Sequence, residues 1–305
     1  QMPRAPLVLR EISKDPQKLL VIIDPRRTET AEIADIHLAI RPGADALLFK
    51  AMIAIVISEG LTDDDYIRNH VNGFNEIKKW FEGFDAREAI ATCGLDYGQV
   101  REVCRQMRAK KTSIHPDLGV YMNRHSTLTC YLIIILAAIT GNFCVPGGNV
   151  IPGTLMPIVG HSDEREEKTW RTVETGFPAL CGLFPPNVMP EEIMSSRPDR
   201  LRAVMCCQAN PLRSFADTSA YEKAFSSLDL LVVCDVAMTE TAAMAHYVLP
   251  ARTGYESWDG TFFPWTWPEI YFQMRRPVVE PEGEPLELGE IHMRIADSMG
   301  FIPGI

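Results

Sequence analysis

The chain carries one motif twice, 211 residues apart. The 15 residues from Asp24 to Leu38 align without a gap on those from Asp235 to Leu249. Seven positions are identical: Asp24, Thr28, Glu29, Thr30, Ala31, Ala34 and Leu38 recur as Asp235, Thr239, Glu240, Thr241, Ala242, Ala245 and Leu249. The same offset pairs Gly43 with Gly254 and Asp45 with Glu256. Each copy follows a continuous apolar run, Leu19 to Ile23 in the first and Leu230 to Cys234 in the second. Such runs predict strands buried on both faces, of the kind that parallel sheets supply. A strand, an acid, a turn and a helix, built twice, predict two similar half-molecules.

The remaining pattern agrees. Ala46 to Ile57 is apolar except for Lys50 and is followed by Gly60, which predicts a buried helix with a glycine end. Helical signals also cover Asp63–His70, where three acids open the run, Phe74–Phe81, Asp96–Met107, His125–Ile139, Thr218–Ser226 and Glu287–Met299. Arg202–Cys206 predicts a further strand. Val145–Arg200 is rich in Pro and Gly and predicts irregular loops and a linker. Strands alternating with helices predict an α/β fold with mostly parallel sheets. At 305 residues the chain is long enough for about two domains. We set these at 1–152 and 153–305, two Rossmann-like halves related by the repeat.

Composition narrows the function classes. A 46% hydrophobic content excludes a disordered chain, and a net charge of -10 without a basic run argues against nucleic acid as a partner. The longest apolar stretch, Tyr131–Ile139, is far short of the roughly 20 residues a bilayer crossing needs. Residues 1–11 hold no signal-peptide core, and the chain opens on Gln, so the native start is expected upstream. The eight cysteines show no C-x-x-C spacing and are expected to be structural thiols, which points to a reducing compartment.

In open α/β sheets ligands bind beyond the carboxyl ends of the strands, where an acid can hold a ribose diol. Asp24 and Asp235 stand at such ends. Asp45 and Glu256 are expected to lie on glycine-containing turns, and a carboxylate offers the paired acceptors that the N–H and NH2 edge of guanine requires. Two nucleotide-binding halves are therefore expected. The competing reading is an old duplication retained for packing, its acids capping helices. Neither G-x-G-x-x-G nor G-x-x-x-x-G-K-[ST] is present, which disfavours an ordinary NAD or ATP site. Gly141-Asn142 and Pro146-Gly147-Gly148-Asn149 read either as a helix end and turn or as backbone closely approaching a bulky ligand.

Five segments together resemble the molybdopterin oxidoreductase (dimethyl sulfoxide reductase) family: Asp24–Ala31, Arg41–Asp45, Thr140–Asn149, Gln208–Pro211 and Asp235–Pro250. Their order and spacing agree over nearly the whole chain. The resemblance implies a bis(molybdopterin guanine dinucleotide) cofactor holding molybdenum or tungsten. It places Asp24, Arg26 and Thr28 at one guanosine, with Gly43 and Asp45 at its base. It places Asn210, Asp235 and Glu256 at the other. Leu118 and Met122 fall where the family passes the pterin, Met122 at a place often held by Gln. No metal ligand and no catalytic residue is expected within the chain. The family's [4Fe-4S] domain and its Cys, selenocysteine, Ser or Asp ligand are expected before Gln1, and a closing C-terminal domain after Ile305.

The resemblance thus implies the central part of a catalytic subunit for two-electron redox chemistry or oxygen-atom transfer. The fragment alone is expected to be inactive. An iron–sulfur electron-transfer subunit and a small-molecule substrate are the implied partners. Formate dehydrogenases place an Arg just after the glycine pair. Val150-Ile151-Pro152-Gly153 stands there, so formate is disfavoured. Two alternatives stay open: a non-redox member such as a hydratase or transhydroxylase, and a cofactor-free structural subunit like the large iron–sulfur subunit of respiratory complex I. Compartment is left open between cytoplasm and twin-arginine export. His161 in its loop, the charged run Asp163–Lys168 and the aromatic cluster Trp258–Trp267 are expected to be surface or packing features, and His115 and His246 structural.

Overall fold

The computed structural model describes residues 4–151, 170–260 and 272–302. The chain divides into two compact units, Gln1–Ile151 and Pro152–Ile305. His161, Asp163–Lys168 and most of the aromatic cluster lie outside the described residues, as do Pro152 and Gly153.

The first unit contains α1 (Ala5–Lys14), β1 (Val21–Ile23), α2 (Glu29–Glu32), β2 (Ile36–Leu38), α3 (Asp45–Ser58), α4 (Asp64–His70), α5 (Phe74–Lys78), α6 (Ala86–Thr92), α7 (Tyr97–Ala109), α8 (Leu118–Tyr121) and α9 (Ser126–Ile139). Its core forms around α3, whose Leu48, Met52, Ile53, Ile55 and Val56 are buried. Against it pack Leu132, Leu136 and Ile139 of α9, Val103, Cys104 and Met107 of α7, and Ile90 of α6. Lys50, the one charge in the α3 run after its first residue, lies 4.4 Å from the centre of the Phe84 ring, where its stem stays packed and its ammonium meets the ring face.

Both apolar helices end alike. Gly60 after α3 has φ +66° and Gly141 after α9 has φ +69°. Gly60 N donates to Ile57 O and Leu61 N to Val56 O; Gly141 N donates to Ala138 O and Asn142 N to Ala137 O. This paired 6→1 and 5→2 pattern satisfies the last carbonyls and needs a residue free to adopt positive φ.

The second unit contains a short 3-10 turn at Pro186–Val188, α10 (Met189–Met194), β3 (Ala203–Cys207), α11 (Pro211–Ser214), α12 (Thr218–Ser226), β4 (Leu230–Asp235), α13 (Glu240–Met244), β5 (Tyr247–Pro250), β6 (Asp259–Gly260), β7 (Met274–Arg275) and α14 (Leu288–Ser298). Its three-stranded sheet has the order β3-β4-β5, parallel throughout. Tyr221 and Phe225 of α12 meet edge to face, 5.4 Å apart, and are fully buried with Ile193, Leu231 and Val233. An α/β fold with parallel sheets is what the two runs and the repeat predict; β6 and β7 pair antiparallel.

Three expectations need correction. β1 is a three-residue strand of half-buried side chains, because its sheet has two strands. The helix expected over Phe74–Phe81 stops at Lys78, and Phe81 is buried from the turn that follows. The Val145–Arg200 stretch is not wholly irregular: α10 forms within it, with Pro190 in its first turn and Glu191 and Glu192 at its positive end. Among the described residues no helix is long and apolar enough to cross a membrane.

Candidate functional site

The two copies of the motif fold alike to the level of single hydrogen bonds. In the first, Val21 pairs with Ile36 and Ile23 with Leu38; in the second, Val232 pairs with Tyr247 and Cys234 with Leu249, the same register at the same offset. Thr28 caps α2, its hydroxyl accepting from Ala31 N at 3.3 Å; Thr239 caps α13, accepting from Ala242 N at 3.2 Å. Each capping threonine donates its own N–H to a carbonyl two residues back, Arg26 or Ala237, at 3.0 Å. Cap side chains of this type satisfy donors that a helix start leaves open.

The repeated acid sits just beyond the strand. Asp24 Oδ1 accepts from Arg26 N at 2.7 Å, and Asp235 Oδ1 from Val236 N at 2.7 Å and Ala237 N at 3.3 Å. Each carboxylate thus bends the chain with one oxygen. Among the described residues its second oxygen accepts no hydrogen bond, so each strand end presents an unspent acceptor. The Arg26 side chain is exposed and makes no ion pair among the described residues. The Thr28 hydroxyl is held in the cap, which leaves its proton as the group it can offer.

Gly43, at φ +82°, turns the chain after β2 into α3, and Asp45 is the first residue of that helix. Asp45 therefore opens a helix rather than lying on the turn itself. Its Oδ2 accepts from Asn123 Nδ2 at 2.7 Å. Asn123 follows Met122, so this bond ties the α8 segment to the base of the Asp24 edge. Leu118 and Met122 are 64% and 79% exposed. Asn123 was not singled out from the sequence; its 78-residue separation from Asp45 leaves no local signal.

In the second unit Asn210 links the ends of β3 and α13. Its Nδ2 donates to Glu240 Oε2 at 2.7 Å, and its Oδ1 accepts from Thr241 Oγ1 at 2.7 Å and Thr241 N at 3.3 Å. The Asn210 amide beside Glu240, then the helix start, hold that carboxyl below the usual glutamate range. Gln208 N donates to Cys234 O at 2.8 Å, which brings the Asn210 turn alongside Asp235. Glu256 behaves differently from Asp45. Its Oε2 accepts from Thr253 N and Thr253 Oγ1, both at 2.9 Å, and these bonds lower its pKa. The two acids at matching positions of the repeat are therefore not equivalent: Asp45 is held by a distant side chain, Glu256 by its own turn.

The Thr140–Asn149 segment is built inward. Asn142 is 1% exposed; its Oδ1 accepts from Thr112 N and its Nδ2 donates to Met107 O and to Thr140. Asn149 bonds both the N–H and the carbonyl of Ile114. A Cβ on Gly148 would lie 2.2 Å from Asn142 O. This glycine is needed for the chain to approach itself.

Sequence reasoning also missed Glu192, 3% exposed in the second unit. Burial pushes its pKa up, but Val173 N, Glu174 N, Thr175 N and Thr175 Oγ1 all donate to it and leave it below the ordinary value. It is a structural carboxylate. Among the described residues no group of three or more His, Cys, Asp or Glu side chains is arranged to hold a metal ion.

The family profile described as molybdopterin oxidoreductase matches residues 4–297. The alpha subunit of an F420-dependent formate dehydrogenase from Methanocaldococcus jannaschii is 33% identical over 97% of this chain and 46% of its own length. Formate dehydrogenase H of Escherichia coli is 30% identical over 92% of the chain and 41% of its length. The solved structure of acetylene hydratase from Pelobacter acetylenicus superposes with a TM-score of 0.76 at 25% identity, covering 92% of the chain and 43% of that protein. The chain thus spans under half the length of these relatives. The profile match, the relatives and the shared fold agree with the duplicated strand–acid–helix unit, and the chain belongs to the molybdopterin oxidoreductase family.

Proposed function

We propose that this chain is the cofactor-binding centre of a longer catalytic subunit, taking one guanosine of a bis(molybdopterin guanine dinucleotide) at each half. The observation that carries this reading is the matched pair Asp24 and Asp235. Each has one oxygen engaged in its turn and one unspent, at the carboxyl end of a parallel strand beside a Thr-capped helix. Such a site suits a diol or a guanine edge, both of which bring hydrogen-bond donors. Asp45, fixed by Asn123, adds an acceptor in the first half, and Asn210, fixed by Thr241 and Glu240, braces the second.

When bound, the molybdenum or tungsten centre supplies two-electron redox or oxygen-atom transfer chemistry. The residues of this chain bind and orient it. Arg26 offers an exposed guanidinium for a phosphate oxygen, a bidentate role that lysine would not fill equally. Leu118 and Met122 offer exposed apolar surface to the pterin. In a longer subunit, a [4Fe-4S] cluster would supply the electron path to an iron–sulfur partner. The substrate is a small molecule, and Val150-Ile151-Pro152-Gly153, which fills the stretch where formate dehydrogenases place an arginine, weighs against formate. A second reading, non-redox hydration, is favoured by the likeness to acetylene hydratase.

The experiment is metal and nucleotide analysis of the intact protein. Molybdenum or tungsten with guanine at a ratio of about two per metal supports the reading. Neither metal nor guanine overturns it in favour of a structural subunit. Loaded protein that hydrates its substrate without turning over electrons selects the second reading.

A further inference from the structure

A cysteine–histidine pair lies in the second unit apart from the groups assigned to the cofactor. Cys207 Sγ is 3.7 Å from His292 Nε2. The other ring nitrogen, Nδ1, lies 2.7 Å from the carbonyl of Leu288, one turn back in α14. A carbonyl only accepts, so Nδ1 carries the proton and the neutral ring turns the lone pair of Nε2 toward the thiol. A thiol facing an imidazole whose tautomer is fixed in this way has the arrangement of an activated nucleophile.

A second thiol stands beside it. Cys207 and Cys234 are direct partners in the β3–β4 ladder, so their side chains leave the same face of the sheet. Neighbouring strands lie about 4.8 Å apart, within the roughly 4.4–6.8 Å of Cα separation that a disulfide spans. Both thiols belong to one small apolar cluster with Leu249, Ala251, Leu286, Leu288 and Ile291. Burial first, then Cys207, pushes the Cys234 thiol up to about 11, and burial pushes Cys206 to a similar value. At neutral pH both stay protonated. Cys207 alone of the three faces a base, and it is only partly buried. Glu290 and Arg294 of α14, the charged neighbours of His292, are paired with each other at 2.6 Å.

We propose that Cys207 is a site of reversible oxidation by hydroperoxides, with His292 as its base and Cys234 as its resolving thiol. His292 Nε2 takes the Cys207 proton. The thiolate attacks a peroxide oxygen: the S–O bond forms, the O–O bond breaks, and the departing oxygen takes the proton from the imidazolium. Cys207 is then a sulfenic acid. Cys234 Sγ attacks the Cys207 sulfur, the S–S bond forms, the S–O bond breaks, and hydroxide leaves with the Cys234 proton as water. Two thiols and one peroxide yield one disulfide, with two electrons passing from sulfur to oxygen. The bridge would join β3 and β4 one residue before Gln208 and Asp235. The proposal does not rest on the cofactor reading.

The test is peptide mass spectrometry on the intact protein after mild hydrogen peroxide. Trypsin separates residues 203–213 from 224–252, so a Cys207–Cys234 bond appears as these two peptides joined with loss of two hydrogens and released by dithiothreitol, in the parent and equally in Cys206→Ser. Independently, His292→Gln should slow iodoacetamide alkylation of Cys207 about tenfold near neutral pH, while the exposed Cys144 and Cys181 keep their rates. Equal Cys207 rates in the two proteins overturn the role of His292. Oxidation that stops at sulfinic acid, a bond within peptide 203–213, or an unreactive Cys207 overturns the proposal.

Discussion

The Nδ1 atom of His246 accepts a hydrogen bond from the backbone N–H of Leu231 at 2.8 Å. At the matching place in the first half, Asp35 Oδ2 accepts from Leu20 N, also at 2.8 Å. Both bonds span 15 residues and tie the start of a strand to the residue before its parallel neighbour. A carboxylate and a neutral imidazole, unrelated in size and charge, perform one task because the task needs only an acceptor at that point. His246→Asp should therefore keep stability within about 0.5 kcal/mol of the parent, whereas His246→Ala should lose about 1–2 kcal/mol through an unsatisfied N–H. Urea unfolding of both variants checks this, and equal losses would remove the equivalence.

Glu192 gives a prediction in pH. Its carboxyl is held below the ordinary glutamate value in the folded chain, so the folded state binds its proton more weakly than the unfolded state does. The stabilisation is fully present above the unfolded pKa and is lost as pH falls through the folded one. Glu192→Gln should lower stability by about 2 kcal/mol at neutral pH. The difference between parent and variant should shrink as the solution is acidified below the carboxylate range. Thermal melts at several pH values measure it; a gap that widens in acid would contradict the assignment.

Gly148 should tolerate no side chain. Its added Cβ would meet the Asn142 carbonyl, which is backbone and cannot swing aside. Gly148→Ala is expected to cost about 3 kcal/mol or more. Gly43→Ala, where no atom lies within 4 Å, should cost about 1 kcal/mol through its positive φ alone. Comparing the two melting temperatures separates steric exclusion from backbone strain.

Asp24→Asn and Asp235→Asn each exchange one acceptor of the proposed guanosine sites for an amide. Each should weaken cofactor retention about tenfold while leaving the melting temperature of cofactor-stripped protein nearly unchanged. Guanine and metal content after gel filtration is the readout. Full retention in both variants would move the nucleotides away from these strand ends.

Much of this was legible in residue order. The 211-residue repeat fixes two copies of a strand, an acid, a capped helix and a second strand, because each step is local: an apolar run, a carboxylate that closes its own turn, a threonine that caps the next helix. The long helices were legible for the same reason, since an apolar run such as Ala46–Ile57 has little alternative to burial. What the sequence could not settle were the pairings across distance. Asn123 and Asp45 are separated by 78 residues, Cys207 and His292 by 85, and Glu192 from its donors by up to 19. No periodicity announces such bonds. They exist because the packed helices and parallel strands bring the groups within reach, and a buried or half-buried polar atom must then find a partner there. The same holds for the fate of Asp45 and Glu256: order in the chain makes them counterparts, and only the bond from distant Asn123 in one unit and the Thr253 turn in the other make them different.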